Sequence, residues 1–221
     1  MNDLPELTGP SFGPAAGGAP EQMVILAHGV GADGHDLIGL APVFAQALPN
    51  AFFISPDAPY PCDFAPFGRQ WFSIGDRTAE TMMAGVRATA PILDAFITAQ
   101  LAAAKLSEDK LALLGFSQGT MMSLHVGLRR GRAVAGILGY SGRLLAPEVL
   151  PAEIKVRPPV SLFHGDLDPL IPVEDMASAA KGLEAAGVSV ETHVCRGLPH
   201  GINQEGIDGG IAFLKRVLGV N

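Results

Sequence analysis

The chain has 221 residues, 48% of apolar types and 17% charged. That length supports a sizeable core within one domain spanning residues 1–221, and that balance excludes a disordered tail or a charge-driven linker. Twenty-two acidic against fifteen basic residues leave a net charge of −7, which disfavours nucleic acid and anionic lipid surfaces, since both select a surplus of Lys and Arg on one face.

Two cysteines, Cys62 and Cys195, are too few for a disulfide framework or a four-ligand zinc site. The first twenty residues lack a basic start followed by an apolar core, so no signal peptide is expected. No apolar run approaches the roughly 18 residues that a membrane helix needs. The expectation is a cytoplasmic protein with free thiols and no integral membrane association.

In chain order, the lead-in over residues 1–20 holds six Gly and Pro between Gly9 and Gly18 and reads as extended or hairpin-like. Apolar runs of strand length follow at Met23 to Ala27, Ala51 to Ile54, Leu111 to Phe116, Ala133 to Leu138 and Val160 to Phe163. Val188 to Cys195 alternates and suits an edge strand. Strands apolar at nearly every position are covered on both faces, as in a mostly parallel sheet. Between them lie helical patterns at Asp36 to Leu48, Asp76 to Lys105 with Pro91 as a kink or break, Gln118 to Arg130, Val173 to Ala186 with Gly187 as a C-cap, and Glu205 to Leu218. The alternation predicts an α/β domain with right-handed crossovers. The stretch Ser55 to Gly75 carries Pro56, Pro59, Pro61 and Pro66 together with Tyr60, Phe64, Phe67, Trp71 and Phe72. A loop of that length and aromatic content reads as packed and pocket-lining.

Gly115-Phe116-Ser117-Gln118-Gly119 matches G-x-S-x-G, between an apolar strand pattern and a helical one. This strand–turn–helix setting is what the motif requires of a nucleophilic serine. A serine hydroxyl needs a base, and the base needs an orienting acid. Of six histidines, His28 and His164 precede Gly at strand ends, where imidazoles bond backbone and shape turns; His125 lies two turns into a helix, His193 inside a strand, and His35 in a turn. His200 follows the last strand, at the end of the sheet where ligands gather, and is the candidate base. For the acid, Asp166 and Asp168 compete in the turn after Phe163. Asp168 precedes Pro169, whose ring holds it extended, and is favoured over Asp166 without excluding it.

The oxyanion of an acyl-transfer intermediate needs two preorganised N–H donors. The Gln118 amide follows the nucleophile, and the loop His28 to Gly34 offers the Val30 amide. Gly29, Gly31 and Gly34 also match a dinucleotide fingerprint, but no acidic residue ends the next strand to hold a ribose.

Taken together, Leu26-Ala27-His28-Gly29-Val30-Gly31, Gln70-Trp71-Phe72, Gly115 to Gly119, His164 to Pro172 and Pro199-His200-Gly201 resemble the phospholipase/carboxylesterase family of the α/β-hydrolase superfamily. The resemblance covers nearly all of the chain from Val24 onward. It implies an α/β-hydrolase fold with helices on both faces of the sheet and no large cap domain. It also implies Ser117 as nucleophile, His200 as base, Asp168 as acid, Val30 and Gln118 as oxyanion donors, and Trp71 and Leu170 as substrate contacts. The reaction implied is hydrolysis of a carboxylic ester or thioester through an acyl-enzyme, with no cofactor and no metal; acyl transfer or peptide cleavage on the same fold, or a non-catalytic binding scaffold, are the alternatives. Short-chain esters, lysophospholipids and acylated proteins are the substrate classes it leaves open, and a homodimer is compatible with it. Ala27 departs from the family pattern, which often has Leu there.

Overall fold

The computed structural model describes residues 4–220; the first three residues of the expected lead-in lie outside that range. Seven strands form one sheet: β1 (Ser11–Phe12), β2 (Gln22–Ala27), β3 (Ala51–Ile54), β6 (Leu111–Phe116), β7 (Gly136–Tyr140), β8 (Val160–Gly165) and β9 (Val190–Cys195). Their order across the sheet is β1-β3-β2-β6-β7-β8-β9. Only β1 runs antiparallel, pairing Ser11 with Ile54. The lead-in thus caps one edge, and β9 forms the other.

The apolar strands have the expected cause. Met23, Ile25, Leu111, Leu113, Ile137 and Leu162 point into one core, while Val24, Leu26, Ala112, Leu114, Leu138 and Phe163 point into a second. Successive side chains alternate between faces, so a strand covered twice must be apolar throughout. The first core is closed by α3 (Ala79–Ala104), α4 (Gln118–Gly127) and α6 (Glu174–Ala185). The second is closed by α1 (Gly34–Ile38), α2 (Ala41–Ala47) and α7 (Gln204–Leu218). Between β7 and β8 the only helix is the four-residue α5 (Leu150–Glu153), so no large cap is built there.

Several boundaries differ from the sequence reading. The expected helix Asp36 to Leu48 is two helices, because Pro42 lacks an N–H and starts a new helix in its first turn. Pro91 does not end α3, which runs unbroken for 26 residues from its Thr78 cap to Lys105. Burial of Ile92, Leu93, Phe96 and Ile97 beyond the proline holds the helix together. β7 lies at Gly136–Tyr140 rather than Ala133 to Leu138. It includes Gly139, where a Cβ would sit 2.6 Å from Thr120 Cγ2. The stretch Ser55 to Gly75 contains a small hairpin, β4 (Tyr60–Pro61) with β5 (Arg69–Gln70).

His125, in the middle of buried α4, is held neutral: burial, aided by the Arg129 guanidinium, lowers its pKa from 6.5 to about 4. The unfolded chain therefore binds a proton in this window that the folded chain refuses, so stability falls as pH drops from about 6.5 towards 4. His125→Leu is expected to flatten that slope in urea-unfolding midpoints measured across the window. An unchanged slope would assign it to other groups.

Candidate active site

The turn from β6 into α4 is built on two close approaches. A Cβ on Gly115 would lie 2.4 Å from the Thr120 nitrogen, and one on Gly119 would lie 1.8 Å from the Ala27 carbonyl oxygen. Neither position tolerates a side chain, and both clashes are with backbone. Between them Ser117 takes φ 53° and ψ −115°, a conformation that costs a non-glycine residue about 1–3 kcal/mol. The strain is held by neighbours: the Ser117 amide donates to Tyr140 O at 2.9 Å, and Thr120 Oγ1 donates to Gly115 O at 2.8 Å. Ser117 caps α4 from outside the helix, so the Gln118 N–H has no intrahelical acceptor.

The glycine-rich loop after β2 faces this turn. His28 organises it: Nδ1 donates to Gly29 O at 2.7 Å, and Nε2 accepts from the Ala58 amide at 2.9 Å. One nitrogen must donate and the other accept, so the ring is neutral; burial lowers its pKa accordingly. Among the described residues the Val30 N–H donates to no backbone carbonyl.

Gln118 ties the aromatic stretch to the serine turn. Its Oε1 accepts from the Trp71 amide at 2.8 Å, and its Nε2 donates to Phe72 O at 2.7 Å. Trp71 itself is completely buried, and its indole N–H donates to His28 O at 2.9 Å. It stands behind the cavity wall, not on it. The ring expected to meet substrate is thus turned inward: its N–H needed an acceptor and found one under the loop. Phe64 and Phe67 also turn away from the expected packed lining, at 59% and 75% exposed.

Asp168 and His200 meet in the turns after β8 and β9. His200 Nδ1 lies 2.7 Å from Asp168 Oδ2. Asp168 Oδ1 accepts from the Leu170 and Ile171 amides at 2.8 and 2.9 Å. Burial works to raise the pKa of this carboxyl, but the Ile171 amide, the His200 ring and the Leu170 amide outweigh it and hold it below its ordinary value. The ionised carboxylate fixes the His200 proton on Nδ1 and leaves Nε2 as the basic nitrogen. The rival Asp166 accepts from the Gly197 amide at 2.6 Å and holds the His200 loop instead.

His164 bonds backbone as its strand-end position implies, but it also approaches the Asp168 carboxylate, which the sequence did not show. His164 is buried, and its Nε2 lies 2.8 Å from Ile171 O and 3.2 Å from Asp168 Oδ2. Its partner is a carbonyl, so Nε2 carries the proton, which is shared towards the carboxylate. The only sequence signal was its place at the end of β8.

Ser117, His200, Val30, Gln118 and Leu170 share the wall of one cavity of about 190 Å³. His200 packs against Phe116, ring centroids 5.0 Å apart. No direct Ser117–His200 hydrogen bond is formed among the described side chains, a separation common before substrate binds. Ile74, Met82, Met121 and Ile171 make the rest of the wall largely apolar, and Leu170 stands at the mouth, 57% exposed. Among the described residues no cluster of His, Cys, Asp and Glu could hold a metal ion. No helix among them is long and apolar enough to cross a membrane.

Comparison with known proteins agrees with this architecture. The family model described as phospholipase/carboxylesterase matches residues 15–218. Esterase YpfH of Escherichia coli (strain K12) is 27% identical over 195 residues, covering 88% of this chain and 82% of that protein. Acyl-protein thioesterase 1 of Gibberella zeae is 31% identical over 214 residues, covering 88% of this chain and 90% of its own length. Among solved structures, esterase PE8 superimposes with a TM-score of 0.92 at 40% identity, over 96% of this chain and all of that one (100%). The chain therefore belongs to the phospholipase/carboxylesterase family, a hydrolase family of the α/β-hydrolase fold.

Proposed function

We propose that this protein hydrolyses carboxylic esters or thioesters in two steps through an acyl-enzyme on Ser117. The observation that carries this reading is the strained Ser117 turn sharing one cavity with a His200 whose far nitrogen is bonded to a buried carboxylate. Ser117 Oγ attacks the carbonyl carbon while His200 Nε2 takes its proton. The Val30 and Gln118 amides receive the oxyanion. His200 then protonates the departing alcohol or thiol, and later draws a proton from the water that releases the acid. Asp168 stays ionised and steadies the imidazolium that forms. Every step is within reach of these side chains and backbone donors, so the mechanism uses no cofactor. The chemistry sits in one domain, and the two unpaired thiols accord with a reducing, cytoplasmic setting.

The cavity, about 190 Å³ and largely apolar in its walls, favours short and medium acyl chains. A panel of 4-nitrophenyl esters from acetate to palmitate is expected to give highest kcat/KM between butanoate and octanoate. A serine-directed fluorophosphonate is expected to label the protein at Ser117. Absence of labelling, with no turnover of any ester in the panel, would overturn the hydrolase mechanism.

A further inference from the structure

Besides Ser117, Gln118 and His200, the polar residues lining the cavity are two arginines that the hydrolytic mechanism leaves unused, Arg77 and Arg143. Arg143 follows β7, on the loop whose Ser141 Oγ donates to Gly201 O beside the His200 turn. Its Nη2 lies 2.9 Å from Asp175 Oδ2 at the start of α6. The approach is close but misaligned, because Arg143 Nε and Asp175 Oδ2 are both buried without a hydrogen-bond partner among the described residues. A buried donor without an acceptor is uncommon in a native protein and calls for a reason. Arg77, exposed just before α3, also lines the cavity and forms no ion pair among the described residues. Its neighbour Asp76 is engaged elsewhere, accepting from the Thr78 amide and the Thr81 hydroxyl. The cavity edge thus carries two fixed cations against the single carboxylate of Asp175.

The geometry points to an anion-selecting subsite: Arg143, assisted by Arg77, receives a carboxylate at the far end of the substrate's acyl chain. This assignment rests on the hydrolase reading above and names the class of ester it prefers. An arginine fork matches a carboxylate in two parallel hydrogen bonds, and its charge is permanent. A carboxylate entering an otherwise apolar cavity loses its hydration, so without such a partner it would be strongly rejected. With the partner it exchanges water for the partly exposed Arg143 guanidinium, while the methylenes of the chain lie on Met82, Met121 and Ile74. A half-ester of a short dicarboxylic acid has this shape.

The test compares mono-4-nitrophenyl adipate with 4-nitrophenyl hexanoate, which share the leaving group and chain length and differ in the terminal carboxylate. The readout is the ratio of their kcat/KM values. In the wild-type protein the ratio is expected to be one or greater at low salt, and to fall as salt screens Arg77. Arg143→Gln is expected to lower the ratio about tenfold or more, the scale of losing a hydrogen bond to a charged group. Arg77→Gln is expected to lower it about threefold, and Arg143→Lys to restore part of the loss. Asp175→Asn removes the competing carboxylate but keeps Arg143, and is expected to raise the ratio; it also keeps the test open if Arg143→Gln does not fold. Hexanoate turnover with a wild-type ratio of one tenth or less overturns the subsite. So does a ratio unchanged within twofold in Arg143→Gln, or an unchanged or lower ratio in Asp175→Asn. Loss of turnover on both esters without fluorophosphonate labelling would sink the hydrolase reading and the subsite with it.

Discussion

Ser117→Ala is expected to lower kcat/KM for 4-nitrophenyl hexanoate by roughly ten-thousand- to a million-fold, with thermal stability unchanged or improved. The stability half of that expectation has its own cause. Alanine at a position with φ near 53° keeps the strain, while the Ser117 hydroxyl makes no capping hydrogen bond to α4 that would be lost. His200→Ala is expected to cost about as much, and the double variant little more than either single one, because nucleophile and base act as a unit. Asp168→Asn is expected to lose about ten-thousand-fold, since an amide cannot hold the His200 proton on Nδ1 in the same way. A Ser117→Ala protein retaining more than a tenth of wild-type turnover would remove Ser117 from the chemistry.

The second large effect is structural. Gly119→Ala is expected to destabilise the protein by about 4 kcal/mol or more, a drop of roughly 8–16 °C in Tm, or to prevent folding. The added Cβ would sit 1.8 Å from the Ala27 oxygen and 2.4 Å from its carbonyl carbon. Those atoms belong to β2, the neighbour of β6 in the middle of the sheet, so no rotamer change relieves the overlap. Gly131→Ala makes the control, because nothing lies within 4 Å of a Cβ there. Calorimetry of the two variants would show whether the central glycine is held by contact; equal melting temperatures would mean that it is not.

The family pattern and the mostly parallel sheet were legible in the chain because their causes are local. A strand buried on both faces must be apolar at consecutive positions, and Leu111 to Leu114 displays this without any tertiary knowledge. The serine turn was legible for a similar reason: two glycines are forced by backbone approaches that always accompany such a turn. Where local cause and packing disagreed, the sequence misled. Pro91 reads as a kink or break, yet the apolar face beyond it keeps α3 continuous. The strand pattern stops at Leu138, yet β7 continues through Gly139, where Thr120 and Leu162 leave no room for a side chain.

Pattern and spacing by themselves nominated the residue types for the proposed chemistry, and gave their order along the chain. They could not decide what each side chain faces. Only the folded chain turns Trp71 behind the wall, and only it brings His164 to the carboxylate of Asp168 and leaves Arg143 Nε without an acceptor. The physical reason is that these placements depend on contacts between segments far apart in sequence, whose geometry is fixed by packing and by buried hydrogen bonds that no local pattern encodes.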